Sequence, residues 1–179
     1  GAFILRDRAA DADRVTRYSL TFSSNSTFGD GDDQVEVFDN VSGAADQNHF
    51  LKIPRTCRYV RYDVINASQA NANTGIREIA FYSPAGNPNP GLVQGVTATA
   101  SSSYSGANPG DIVNGSELRQ KYRHGNPGSG AGMWIGNIPS GRAANPNPGT
   151  TAGAEWVRFD LGRSHRLGKV ALWNHNQYA

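Results

Sequence analysis

The stretch "WVRFDLGRSHRLGKVALWNHNQYA", residues 156–179, ends the chain and decides how it is read. Two apolar-alternating runs, "WVRFDLG" and "LGKVALWN", flank a polar turn, which is the pattern of half-buried β-strands. Such a pair belongs in the middle of a sheet, so further strands are expected after it. The opening stretch, "GAFILRDRAADADRVTRYSLTFSSN" at residues 1–25, raises the converse expectation, because it begins abruptly and shows no secretion signal. The two ends are predicted to belong together.

Working outward, strand patterns recur and long helical periodicity is missing. Residues 17–24, "RYSLTFSS", set Tyr18, Leu20 and Phe22 against Ser19, Thr21 and Ser23. Residues 33–39, "DQVEVFD", set Val35 and Val37 against Glu36 and Phe38. "HFLKIP" (49–54), "CRYVRYDVINA" (57–67) and "GIREIAFYSP" (75–84) complete a first series. The proline- and glycine-rich "SPAGNPNPGL" (83–92) reads as a linker or surface loop. A second series follows, in "GVTATASSSY" (95–104), the short "DIVNGSEL" (111–118), "GMWIGN" (132–137), "EWVRFDLG" (155–162) and "LGKVALWNHN" (167–176). The long polar run 138–154 reads either as a functional loop or as a plain insertion. Many short strands between Gly/Pro/Asn turns predict an all-β protein, a β-sandwich.

Composition excludes several functions. Seventeen basic and fifteen acidic residues leave a net charge of +2 with no basic cluster, which argues against a nucleic-acid partner. No apolar run reaches the ~20 residues that span a bilayer, so no membrane span is expected. The single cysteine, Cys57, makes no intrachain disulfide, and its place in a strand pattern predicts a small buried side chain rather than a catalytic thiol. There is no G-x-S-x-G, no H-E-x-x-H and no phosphate-cradling glycine loop. The chain is read as a binding protein and not an enzyme.

The second series resembles, in order, the opening half of a discoidin-like domain, the coagulation factor 5/8 type C or galactose-binding-like fold. "TATASSSY" is similar to its first strand, "IVNGSEL" to its D-G-n turn, "MWIG" to its core-tryptophan strand, and "WVRFDLG" with "VALWNHN" to the two strands that follow. The first series resembles the closing half, in "RVTRYSLTFSSN", "CRYVRYDVINA" and "GIREIAFYSP". The halves stand in permuted order: 93–179 followed by 1–84 restores one domain. The resemblance therefore implies a jelly-roll β-sandwich across residues 1–179, circularly permuted or strand-swapped, with 85–92 as the connection. A permuted single domain, a tandem repeat cut mid-period and a strand exchange between neighbouring chains would each give this order. The permuted single domain is preferred.

Members of this family mostly bind exposed sugars through loops at one end of the sandwich, and the chain resembles family 32 carbohydrate-binding modules among them. The resemblance thus implies a secreted or cell-surface, lectin-like module whose partner is a glycan or polysaccharide. Vicinal hydroxyls call for paired donors and acceptors, and the apolar sugar face for an aromatic ring. The restored junction is richest in these, bringing Asn174, His175, Asn176 and Tyr178 beside Arg6 and Arg8. His175 falls where the family commonly supplies a polar ligand, although asparagines here also suit turn hydrogen bonds. His124, in "QKYRHGNPGSG", is a second candidate. Trp134 and Trp156 match core tryptophans of the family, whereas Trp173 stands at core or rim.

Many sugar-binding relatives hold a structural Ca2+ between the D-G-n turn and the glutamate of the last strand. Those positions match Asn114, Ser116 and Glu78, with Asn114 replacing the usual aspartate and removing one charge. "GDGDDQ", residues 29–34, is an alternative acidic turn. Sequons at Asn25, Asn40, Asn66 and Asn114 matter only in a glycosylating source. The competing function is structural, an adhesion or fibre unit, a homo-oligomer or polymer completed by strand exchange between chains.

Overall fold

The computed structural model describes residues 15–39, 46–67, 75–88, 90–104, 106–115, 132–136 and 155–174. Eight strands are placed: β1 Val15–Ser23, β2 Gln34–Asp39, β3 Asp46–Ala67, β4 Gly75–Ser83, β5 Gly91–Leu92, β6 Thr97–Ala100, β7 Trp134–Ile135 and β8 Trp156–Asn174. A 3-10 turn, Pro109–Val113, lies between β6 and β7 in sequence. The protein is all-β, and every pairing is antiparallel. The sheet runs β2-β1-β3-β8-β4-β5, with β6 also on β8 and β7 on β4.

The described part of the C-terminal stretch, residues 156–174, therefore occupies the centre. β8 lies between β3 and β4, so a strand from the end of the chain is inserted between two from its first half. β3 and β8 are long because each absorbs two of the runs seen in the sequence. Both bend. Phe81 pairs in register with Val170, yet its ring meets that of Phe159 edge-on at 5.2 Å. An extended strand between positions 159 and 170 would cover on the order of 35 Å, so the sheet folds back on itself. The bend of β8 falls at Gly162, whose φ of 78° suits glycine. β3 is irregular between Phe50 and Arg55, a stretch that includes Pro54, and again between Cys57 and Tyr59.

The fold-back encloses one main core. Tyr18, Leu20 and Phe22 of β1, Val60 and Tyr62 of β3, Ile79 and Phe81 of β4, and Val157, Phe159, Leu161 and Leu172 of β8 are all buried in it. The Tyr18 ring stacks on Phe38 at 5.4 Å and tilts against Tyr62 at 5.2 Å. Burial alone pushes the Tyr18 hydroxyl well above its usual range, and burial first, with nearby charge, does the same for Tyr62.

Several sequence expectations change here. "DIVNGSEL" does not open as a strand: Asn108 caps the 3-10 turn by accepting the Gly110 N–H at 2.9 Å, and Pro109 supplies the fixed φ such a turn starts with. In β2 it is Phe38 that packs on the core, while Val35 and Val37 stay 46% and 45% exposed. "SPAGNPNPGL" is not wholly a linker, since Gly91 and Leu92 pair with Ser83 and Tyr82. Cys57 is buried as expected, and desolvation pushes its thiol up to about 12.

Candidate functional site

The junction residues expected to hold sugar fall largely outside the described residues. His175, Asn176, Tyr178, Arg6, Arg8 and His124 all lie there. The backbone of Asn174 is placed: it is the last residue of β8 and pairs with Ile76 near the start of β4. Beside it Gly75 pairs with Ile135 of β7, so the ends of three strands meet where the chain leaves β8.

The metal positions implied by the resemblance converge in part. Glu78 of β4 is fully buried, and its Oε1 accepts the Gly115 N–H at 3.3 Å. Glu78, Asn114 and Gly115 line one small cavity of about 50 Å3, together with Val93, Gln94 and Val113. That space admits water or an ion but not a sugar ring. One carboxylate with asparagine and backbone oxygens is a hard-cation donor set, though a sparse one. Ser116 lies outside the described residues.

The acidic turn after β1 offers more charge. Asp30, Asp32 and Asp33 each place a carboxylate oxygen within 4.8 Å of the others. Their own loop already donates to them. Asn25 Nδ2 donates to Asp30 at 3.0 Å and to Asp32 at 3.3 Å, the Ser24 hydroxyl donates to Asp32, and the Gly29 N–H donates to Asp33 at 2.5 Å. Hydrogen bonding to Asp30 and then to Ser24 holds the Asp32 carboxyl below its usual range.

Two tryptophans expected in the core part company. Trp134 is fully buried, and its indole N–H donates to the Ser102 carbonyl at 2.8 Å. Trp156 instead lies on the outer face, opposite Asp63, because its neighbour Val157 takes the core side. Its ring carries the Arg61 guanidinium at 5.0 Å, with Phe28 at 5.9 Å from the same cation. Arg61 donates from Nε and Nη2 to one oxygen of Asp63, at 3.0 and 2.8 Å. The residue pairs Ser19–Asp63 and Thr21–Arg61 make this a buried polar row on the outside of the sheet.

Two features had no sequence signal. A groove of about 440 Å3 lies between residues 90–95 and the β8 bend, lined by Pro90, Leu92, Gln94, Arg163 and His165 among others. Burial, and secondarily the Arg163 charge, pull the His165 imidazole below its usual range. On an outer face, Lys169 lies between the rings of Phe50 and Tyr82. Neither could be found without knowing which strands are neighbours.

No family model, curated protein or solved structure matches this chain.

Proposed function

We propose that this chain is a non-catalytic carbohydrate-binding module, a jelly-roll sandwich of the discoidin-like, galactose-binding-like kind with its halves in permuted order. Its sugar loops lie at the end of the sandwich where β8 finishes. His175, Asn174, Asn176 and Tyr178 supply hydrogen bonds and an aromatic face there, with Arg6, Arg8 and His124 as further donors. A structural Ca2+ between Glu78 and the Asn114–Ser116 turn steadies that end. The module works at a cell surface or outside the cell.

One observation carries this reading. The resemblance pairs Glu78 with the Asn114 turn, two positions far apart in sequence and on opposite sides of the permutation point. In the fold Glu78 accepts a hydrogen bond from Gly115, and both line the same cavity. The test is a glycan microarray probed with the wild-type chain and with His175→Ala. Binding to a defined glycan class that His175→Ala weakens supports the reading. Binding to no glycan, with or without added Ca2+, overturns it.

A second reading has its own observation. β2 ends the strand order, with Val35 and Val37 exposed beside its free edge among the described residues. An exposed edge of that kind is where a second copy adds a strand, and self-assembly is then the function. Concentration-dependent polymers that Val37→Lys abolishes would favour it over sugar binding.

A further inference from the structure

A second surface lies on the outer face formed by β3, β8, β4 and β5. In register, Phe50 stands opposite Lys169, Lys169 opposite Tyr82, and Tyr82 opposite Leu92. Paired positions share a face, and the next residues along, Leu51, Val170 and Phe81, are buried in the core on the other side. Phe50 is 75% exposed. The Lys169 ammonium sits 5.8 Å from the Phe50 ring centroid and 4.6 Å from that of Tyr82. The two rings are two strand spacings apart, about 10 Å.

The exposed charge along this row is basic, and the buried Glu78 carboxylate acts on Tyr82 from the same side of β4. Residues 50–53, 82–84, 91–92 and 166–169 contain no Asp or Glu but hold Lys52, Arg166 and Lys169. Lys52 and Arg166 are exposed. At Leu92 the row meets the 440 Å3 groove, whose wall adds Arg163. Cross-strand cation–π contacts strengthen a sheet by ~0.5–1 kcal/mol at exposed sites. That gain does not require a phenylalanine three-quarters in water, and a large exposed ring in a row with a second ring and basic side chains suits a binding surface.

We propose that this face binds an anionic polysaccharide, whose sugar rings stack on Phe50 and Tyr82 and whose carboxylate or sulfate groups meet Lys169, Lys52 and Arg166. The flatness of the row suits an extended polymer rather than a small enclosed ligand. Ring spacing of two strands suits alternate sugars of an extended chain. The proposal rests on the glycan-binding reading but places the acidic-chain contact on the sheet face instead of the loops.

The test is affinity electrophoresis in native gels containing polygalacturonate, alginate or dextran sulfate, with fully methyl-esterified polygalacturonate and single-stranded DNA as comparisons. The proteins are wild type, Phe50→Ala, Lys169→Gln and His175→Ala, each checked for an unchanged melting temperature. Retardation by at least one acidic polymer is expected, weakened about tenfold by Phe50→Ala and by Lys169→Gln. The methyl ester should bind poorly, and His175→Ala should keep the acidic binding. Carboxylate-only or sulfate-only retardation identifies which anion is read, and either supports the proposal. Retardation by none of the acidic polymers overturns it, as does equal binding by Phe50→Ala, or DNA binding as strong as polysaccharide binding. Neutral-glycan binding lost in His175→Ala, with Phe50→Ala unaffected, would sink the face and leave the loop reading intact. Acidic binding lost in Phe50→Ala and retained in His175→Ala supports the face and leaves the loop reading to the glycan microarray.

Discussion

Replacing Gly136 by alanine tests one contact that ties β7 to the start of β8. Gly136 follows β7, and a Cβ built on it would come closer than 3.0 Å to the Glu155 carboxylate. Glu155 is 1% exposed and accepts from the Ser101 hydroxyl at 2.9 Å and from the Ser102 hydroxyl at 2.8 and 3.0 Å. The carboxylate must swing away from at least one of these hydroxyls to admit the methyl group. Hydrogen bonds to a charged group are each worth ~1.5–3 kcal/mol, so Gly136→Ala should cost about 2–3 kcal/mol. For a chain of this size that is a fall in melting temperature of roughly 5–10 °C. Gly136 has no positive φ, so without the clash alanine would instead stabilise by ~0.4–1 kcal/mol through the unfolded state. Urea unfolding of wild type, Gly136→Ala, Glu155→Ala and the double variant reads the coupling. In the Glu155→Ala background the alanine at 136 should cost less than ~0.5 kcal/mol. A single variant as stable as wild type, or the same loss in both backgrounds, would refute the reasoning.

Three further outcomes follow from the same coordinates. Arg61→Met removes one partner of the fully buried Asp63, and hydrogen bonds to a charged group are worth ~1.5–3 kcal/mol; calorimetry showing no loss would contradict the buried pair. Cys57, buried and with its thiol pushed up to about 12, should ignore an aromatic disulfide reagent in the native state and react fully in urea. Asp160 is held below its usual carboxyl range first by its hydrogen bonds from Arg58, at 3.0 Å each, and these stabilise the fold only while Asp160 is ionised. The unfolded chain binds that proton more readily, so the contribution is present above about pH 3.9 and is lost as pH falls through the lower folded value. The pair is partly exposed, so Arg58→Met should cost under ~1 kcal/mol near neutrality, and the difference should vanish in acid.

The strands were legible because their alternation is local. Tyr18, Leu20 and Phe22, or Val60, Tyr62 and Val64, announce an inward face without reference to anything distant. What the chain hid was continuity and neighbourhood. Pro54 and Gly162 read as stops, yet β3 and β8 pass through them, because a bend, not an end, satisfies a proline and a left-handed glycine. Asn108 and Pro109 outweighed the apolar Ile112 and Val113, turning an expected strand into a 3-10 turn. Trp156 matches a core tryptophan of the resembled family by position, but strand parity gives that side to Val157 and leaves the indole to Arg61. Glu78 and Asn114 were linked only through a family resemblance, since nothing local relates them. Phe50, Lys169 and Tyr82 form a row only after register aligns three strands separated by most of the chain.

The measurement that bears most directly on the account is sedimentation velocity of the purified chain, alone and with the polysaccharide panel, across a wide concentration range. The account predicts a monomer of 19.2 kDa that closes its own sheet through β8 and sediments with polysaccharide when one is present. Species that grow with protein concentration and ignore every polysaccharide would contradict it, and would make assembly between chains the function of this sheet.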